Sequence, residues 1–425
     1  MSDAGDGDGR DRGLGEAPRL DGSVPGTSPG GRVRPPVAII FGITLTGILA
    51  NTLPNAALPD ILDDLGQSDG SGGIFVAAGT IPGIVMAPVI GLLADRYGRR
   101  RVLLPCLVAF SVFGVLSAFA PSWPVLLLFR LCQGFGSAGL INLAVVLIGD
   151  GWEGNERVRL IGYNAAVLTV SVALLPALGG ALAEIGGWRL AFAPYVLGLV
   201  TAVGVAHSLP RSSPAGSESM GTQFRAALTV VRRPVVAASL AFGFVLFALV
   251  FGLFLTTLSL HLDNEFGLEA GGRGLIIAAP ATGATVAALS LGRMRARFGG
   301  ARLLLAANAL FVVGFCAIGT APSIWVLIGG AVLYGLGEGT AIPTVQDVVA
   351  GAAPTESRGA VVALWVGSAR AGQTVGPLMA GAGIATVGTG ATFVAGGLVA
   401  AGLLVAQLTV PVRRLEAEAG LRSAA

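Results

Sequence analysis

Twelve apolar runs, each long enough to cross a bilayer, dominate the chain. A hydrocarbon core needs roughly 20 apolar residues per helical crossing. Runs of that kind fall at 36–58, 73–94, 101–120, 123–149, 158–184 and 189–209. After the polar stretch 211–233, six more fall at 234–260, 271–292, 301–320, 323–349, 358–385 and 388–411. These are helices 1 to 12 in chain order. Charged residues make up only 12% of the chain against 53% hydrophobic, where soluble domains carry about a quarter charged. Too little polar surface exists to cover a soluble globule. The expected fold is an all-α integral membrane protein with twelve transmembrane helices in two six-helix bundles. Expected domains are a disordered cytoplasmic tail (1–35), an N-terminal bundle (36–209), a cytoplasmic linker (210–233), a C-terminal bundle (234–411) and a cytoplasmic tail (412–425).

Orientation follows from arginine, the sole basic residue apart from His, since the chain has no Lys. With both termini inside, 23 of the 27 arginines fall in cytoplasmic segments. That asymmetry predicts a multi-pass protein of the cell membrane with both termini cytoplasmic. An even helix count agrees. The net charge of +3 argues for no nucleic-acid partner. Cys106, Cys132 and Cys316 lie in apolar runs without metal-ligand spacing, so no metal or cofactor is expected. The chain holds no nucleophile elbow, no phosphate loop and no sizeable soluble domain, which argues against an enzyme, a receptor or an ATP-driven pump. A monomer in the lipid bilayer is the expected form.

The two halves match at a constant offset of 201 residues. Gly91, Arg96 and Gly98 align with Gly292, Arg297 and Gly299. Ala120, Pro121 and Ser122 align with Ala321, Pro322 and Ser323. Gly134 and Gly136 align with Gly335 and Gly337, Arg157 with Arg358, Pro176 with Pro377, and Phe192 with Phe393. Repeated bundles of this kind build secondary transporters, with a substrate site between the halves.

The segment GLLADRYGRRR at 91–101 resembles the loop signature between helices 2 and 3 of the major facilitator superfamily, through Gly91, Asp95, Arg96, Gly98, Arg99 and Arg100. A degenerate copy stands at 292–300, with Ala296 in place of Asp95. FRLCQGFGSAG at 129–139 resembles the superfamily's helix 4 signature through Arg130, Gln133, Gly134 and Gly136. ALLPALGGAL at 173–182 resembles the helix 5 signature of its exporters through Pro176, Gly179 and Gly180, although Leu175 and Ser171 replace the glycines of that pattern. The helix 11 segment keeps Gln373, Gly376 and Pro377.

The resemblance implies roles. Gly91, Asp95, Arg96, Gly98 and Arg99 would form a gate: Asp95 can pair with arginine or meet a helix N-terminus of the opposite bundle. The simpler role for the arginines is to fix topology. Arg130, about seven residues into helix 4, is costly in lipid, and the family assigns such an arginine to proton coupling. It could instead be a structural residue satisfied by carbonyls and Gln133. Helix 1 offers Asn51 and Asn55 but no acid at mid-depth. Glu338, among glycines and roughly 22 Å along helix 10 at 1.5 Å per residue, is the best proton carrier. It could also pair with Arg370 or touch substrate. Asp347 with Glu356 and Arg358 could form an inner gate. Asp60 sits near the outer end of helix 1, and Asp263 and Glu265 are expected to be solvated.

The family's cavity is lined by helices 1, 4, 7 and 10. Candidates are Asn51, Asn55, Gln133, Asn142, Phe254, Thr256, Tyr334, Gln346, Trp365, Arg370 and Gln373. So apolar a cavity suits an amphipathic molecule better than a sugar. The expected function is proton-coupled efflux of small amphipathic molecules by rocker-switch alternating access. The alternative is uptake of an organic acid or nutrient by proton symport or uniport.

Overall fold

The computed structural model describes residues 34–210, 234–352 and 358–409. Most of the expected N-terminal tail, the linker 211–233, the C-terminal tail, Glu356 and the side chain of Arg358 lie outside them. Helices 1 to 6 span Val37–Asp64, Asp69–Tyr97, Arg99–Ser117, Trp123–Gly151, Gly154–Gly186 and Leu190–Ser208. Helices 7 to 10 span Val236–Phe266, Ala270–Phe298, Gly300–Gly319 and Ile324–Ala352. The last helical stretch, Arg358–Thr409, is broken at Gly388, where φ is 80°. It therefore supplies two crossings, helix 11 (358–387) and helix 12 (389–409). The end at which Val37 starts is called here the terminal end, and the opposite end the far end.

Glycine marks where the chain turns, and the marks repeat. Gly66 and Gly267 have φ of 63° and 60°, Gly98 and Gly299 of 93° and 77°, Gly187 and Gly388 of 73° and 80°. Each pair is 201 residues apart. Only glycine takes such angles without strain. The seventh positive-φ glycine, Gly154, has its counterpart at 355, outside the described residues. The interhelix contacts repeat as well. A Cβ on Gly136 would strike the backbone of Cys106 and Phe110, and one on Gly337 would meet Ala307 and Phe311, the same neighbours shifted by 201.

Helices 1 and 7 are irregular at matching depths. Helix 1 tightens to a 3-10 turn at Leu53–Ala57, where Pro54 has no N–H to donate. Helix 7 loosens to a π segment at Val250–Thr257. There the hydroxyls of Thr256 and Thr257 donate to the carbonyls five residues back, at 2.8 and 2.9 Å. The core is aliphatic and aromatic throughout. Its largest fully buried side chains also include Arg130 and Arg273.

Candidate functional site

The bundles meet closely at the far end and separate toward the terminal end. A Cβ on Gly73 of helix 2 would overlap the carbonyl of Pro377 in helix 11. One on Gly274 of helix 8 would overlap the carbonyl of Pro176 in helix 5. These contacts are again related by the 201-residue shift. Gly180 lies as closely against the Ala270 carbonyl, and Gly381 against Gly70. Midway, the Thr80 hydroxyl donates to the Gln373 carbonyl at 3.3 Å and accepts from Thr374 at 3.1 Å. Toward the terminal end the same helices lose contact. A Cβ at Gly91, Gly162, Gly292 or Gly367 would meet open space. The molecule is sealed at its far end and open at its terminal end.

Three ionic groups sit at the seal. Arg273, 1% exposed at the start of helix 8, donates through Nη1 to Asp263 of helix 7 at 2.5 Å. Through Nη2 it pairs with Asp60 of helix 1, and through Nε it donates to the Ala56 carbonyl at 2.9 Å. Ser259 reaches the same carbonyl at 3.3 Å. Asn264 donates to Asp69 at 2.7 Å on the far rim. The sequence alone placed Asp263 in solvent; it is ion-paired instead. The residues that meet here lie up to 217 positions apart, and no local pattern connects them.

Arg130 is 1% exposed and pairs with no acid among the described residues, and its Nε has no hydrogen-bond partner. It donates to Gln133 Oε1 at 2.8 Å, to the Tyr195 hydroxyl at 3.3 Å and to the Ala50 carbonyl at 3.0 Å. Its guanidinium lies 4.6 Å from the centre of the Phe75 ring, a cation–π distance. Ala50 is the residue whose carbonyl Pro54 leaves unpaired. Arg370 makes the same three-residue pairing on helix 11, donating to Gln373 at 3.1 Å. Helix 2 lies between the two arginines. The site of a Cβ on Gly79 is 3.0 Å from Arg130, and that on Gly83 is 3.6 Å from Arg370.

Glu338 is half-buried on helix 10. No ion pair joins it to Arg370 or to any other described residue, and its polar neighbour is the buried hydroxyl of Tyr334, one turn away. The Tyr334 ring stacks on Phe254 of helix 7 at 4.7 Å. Asn55 is 1% exposed and donates to the Asn51 carbonyl at 2.7 Å, bracing the break in helix 1. Thr256 is fully buried in the π segment. Trp365 is buried edge-on against Phe247 at 5.9 Å. Asn142 and Gln346 are exposed.

At the terminal end, Arg99 pairs with Asp95 and donates to Asp150 at 3.1 Å, joining the ends of helices 2 and 4. Asp347 pairs with Arg295 and joins the ends of helices 10 and 8. Both links stay within one bundle. Gly98 makes the sharp turn into helix 3. Arg96 is exposed, over the Tyr97 ring. Of the helix-packing residues, Gly179 lies on the Leu53 carbonyl of helix 1 and Gly376 on the Ala248 carbonyl of helix 7, while Pro176, Gly180 and Pro377 lie at the interface between bundles.

A sequence model of the Major Facilitator Superfamily matches residues 40–271 and 240–424. The chain is 29% identical to a chloramphenicol resistance protein of Streptomyces lividans, over 82% of this chain and 89% of that protein. It is 24% identical to a bacillibactin exporter of Bacillus subtilis, over 80% and 88%. Among solved structures, the nucleoside transporter NupG superposes with a TM-score of 0.72 at 13% identity, covering 88% of this chain and 97% of the other.

Proposed function

The chain belongs to the Major Facilitator Superfamily, and from that premise we propose that it exports small amphipathic molecules across the cell membrane in exchange for protons. It is a multi-pass membrane transporter and not an enzyme. Two relatives that align along most of its length are a drug resistance protein and an exporter. Arginine asymmetry makes the terminal end cytoplasmic, so the state described above opens inward. We read the transporter as a monomer.

The observation that carries the reading is Glu338. It is a half-buried acid without an ion-pair partner among the described residues, beside Tyr334, whose ring stacks on Phe254. An acid so placed can hold either a proton or the polar end of a substrate, but not both. Competition at one group gives exchange: arrival of substrate from the cytoplasm displaces the proton, and the outward-facing state reverses the trade. Arg370, with one hydrogen bond to Gln373, supplies the opposite charge. Arg130 supports the coupling at one remove, by holding helix 1 at its break. In the opposite state, Asp95 and Arg99 would turn to the other bundle and close the cytoplasmic side.

The test is proton flux in liposomes carrying a pH gradient, an internal pH dye and added chloramphenicol or organic acids. Dissipation of the gradient by exchange is expected, and Glu338→Gln should abolish it at unchanged expression. Native rate and native pH dependence in Glu338→Gln would remove Glu338 from the cycle. Ser171 and Leu175, which break the exporter pattern of helix 5, favour a second reading as an uptake carrier. Proton movement in the same direction as substrate would establish it.

A further inference from the structure

We infer that Asp60, Arg273 and Asp263 form the latch that holds the far end shut, and that its Asp60 arm is the one that breaks when the transporter opens there. Arg273 and Asp263 belong to the same bundle, on helices 8 and 7. Asp60 and the Ala56 carbonyl belong to the other, on helix 1. Rocking the bundles apart at the far end pulls Asp60 and Ala56 away and leaves Arg273 with Asp263. The guanidinium's three-way fit explains why the latch is an arginine: Nε, Nη1 and Nη2 each have a separate partner. A lysine presents one point charge and no planar fork.

The burial of the group makes the latch strong and switchable. Arg273 is 2% exposed at its side chain, whereas Asp60 and Asp263 keep 40% and 35%. Separation therefore returns Asp60 to water at little cost and leaves Arg273 one acid short. The latch is not inherited from the repeat. At the 201-residue shift, Asp60 corresponds to His261, Asp263 to Leu62 and Arg273 to Gly72. Only one copy exists, so it biases one end of one interface. The terminal-end ion pairs, Arg99 with Asp95 and Asp150, and Arg295 with Asp347, cross between no bundles. In this state the ion pair that joins the bundles among the described residues, Asp60 with Arg273, stands at the far end.

The experiment needs neither substrate nor gradient, so it stands whatever the transporter carries. In full-length protein with Cys106, Cys132 and Cys316 replaced, Ser259→Cys reports on the far-end seal. Gly367→Cys reports on the terminal-end opening. A membrane-impermeant maleimide is applied from each side. Asp60→Asn should raise labelling at 259 roughly tenfold, about 1.4 kcal/mol in the opening equilibrium, and lower labelling at 367. Asp60→Glu should stay near the parent, and Asp263→Asn, which keeps the arm between bundles, should open the far end less than Asp60→Asn. Should Asp60→Asn fail to accumulate, Arg273→Lys is read instead, with the same reciprocal shift expected. Parental labelling at both positions in these variants would overturn the latch. So would a rise at both, which means general loosening.

Discussion

Pro54 has no N–H to give the Ala50 carbonyl, and Arg130 takes it. One missing hydrogen in helix 1 thereby fixes what a charged residue in helix 4 can do. Arg130→Ala removes three hydrogen bonds. Each such bond from a charged donor is worth ~1.5–3 kcal/mol. The variant should lose at least about 3 kcal/mol, measured as a fall in thermal unfolding temperature in detergent. Arg130→Lys should recover part of it, because an ammonium's three donors sit on one nitrogen and cannot span the partners that Nη1 and Nη2 reach separately. A melting temperature unchanged in Arg130→Ala would show that these bonds do not hold helix 1. The bond to Gln133 was legible in the sequence, since residues three apart share a helix face. The bonds to Ala50 and Tyr195 were not, because they join helices that no sequence pattern aligns.

Helix 5 shows how two adjacent glycines divide their work. Gly179 receives helix 1 within its own bundle, and Gly180 receives helix 8 of the other. A methyl added to either meets main-chain oxygen rather than a movable side chain. Overpacking of this kind costs ~1–3 kcal/mol. Gly179→Ala should lower thermal stability at either conformational extreme. Gly180→Ala should instead disfavour far-end closure, raising far-side labelling of Ser259→Cys while changing the melting temperature less. Equal effects on both measurements would refute the division. The glycines that the exporter pattern lacks at Ser171 and Leu175 reappear 201 residues on, as Gly372 and Gly376 against the Phe244 and Ala248 carbonyls of helix 7. Gly376 stood out in the sequence beside its proline, and Gly372 did not. A small residue declares its purpose only when the helix facing it is known.

Across the whole molecule, one end is sealed and the other open, and turnover requires the reverse. Gly70 and Ala385 face each other across the seal, with a Cβ on Gly70 falling 2.9 Å from that of Ala385. Cysteines at both positions should form a disulfide once the two backbones ease apart by roughly half an ångström, since bridged Cβ atoms lie ~3.5–4.5 Å apart. Oxidation should stop transport in liposomes and reductant should restore it. Full activity in the oxidised, cross-linked protein would mean the far end need not open. Twelve helices, two bundles and the repeat were all legible, because bilayer thickness and duplication write themselves along the chain. Gly66 and Gly267 escaped notice only because 65 glycines make any single pair unremarkable until φ singles it out. Which end is shut was not legible, since the same residues serve both states.

The far-end seal is built largely from main chain facing main chain. Gly73 lies on the Pro377 carbonyl and Gly274 on that of Pro176, while neighbours such as Ile74 and Leu178 stay exposed at 45% each. Outside the latch, a surface of this sort carries almost no side-chain information. Saturation mutagenesis scored by survival on an exported toxicant should therefore return a sparse map. Isolated intolerant points would stand at Gly73, Gly180, Gly274 and Gly381, beside the latch residues Asp60 and Arg273, amid positions that accept nearly any apolar residue. Lineages of this transporter can then diverge freely in the lipid-facing residues and in what they carry, while the closing edge stays fixed by four missing side chains and one ionic latch.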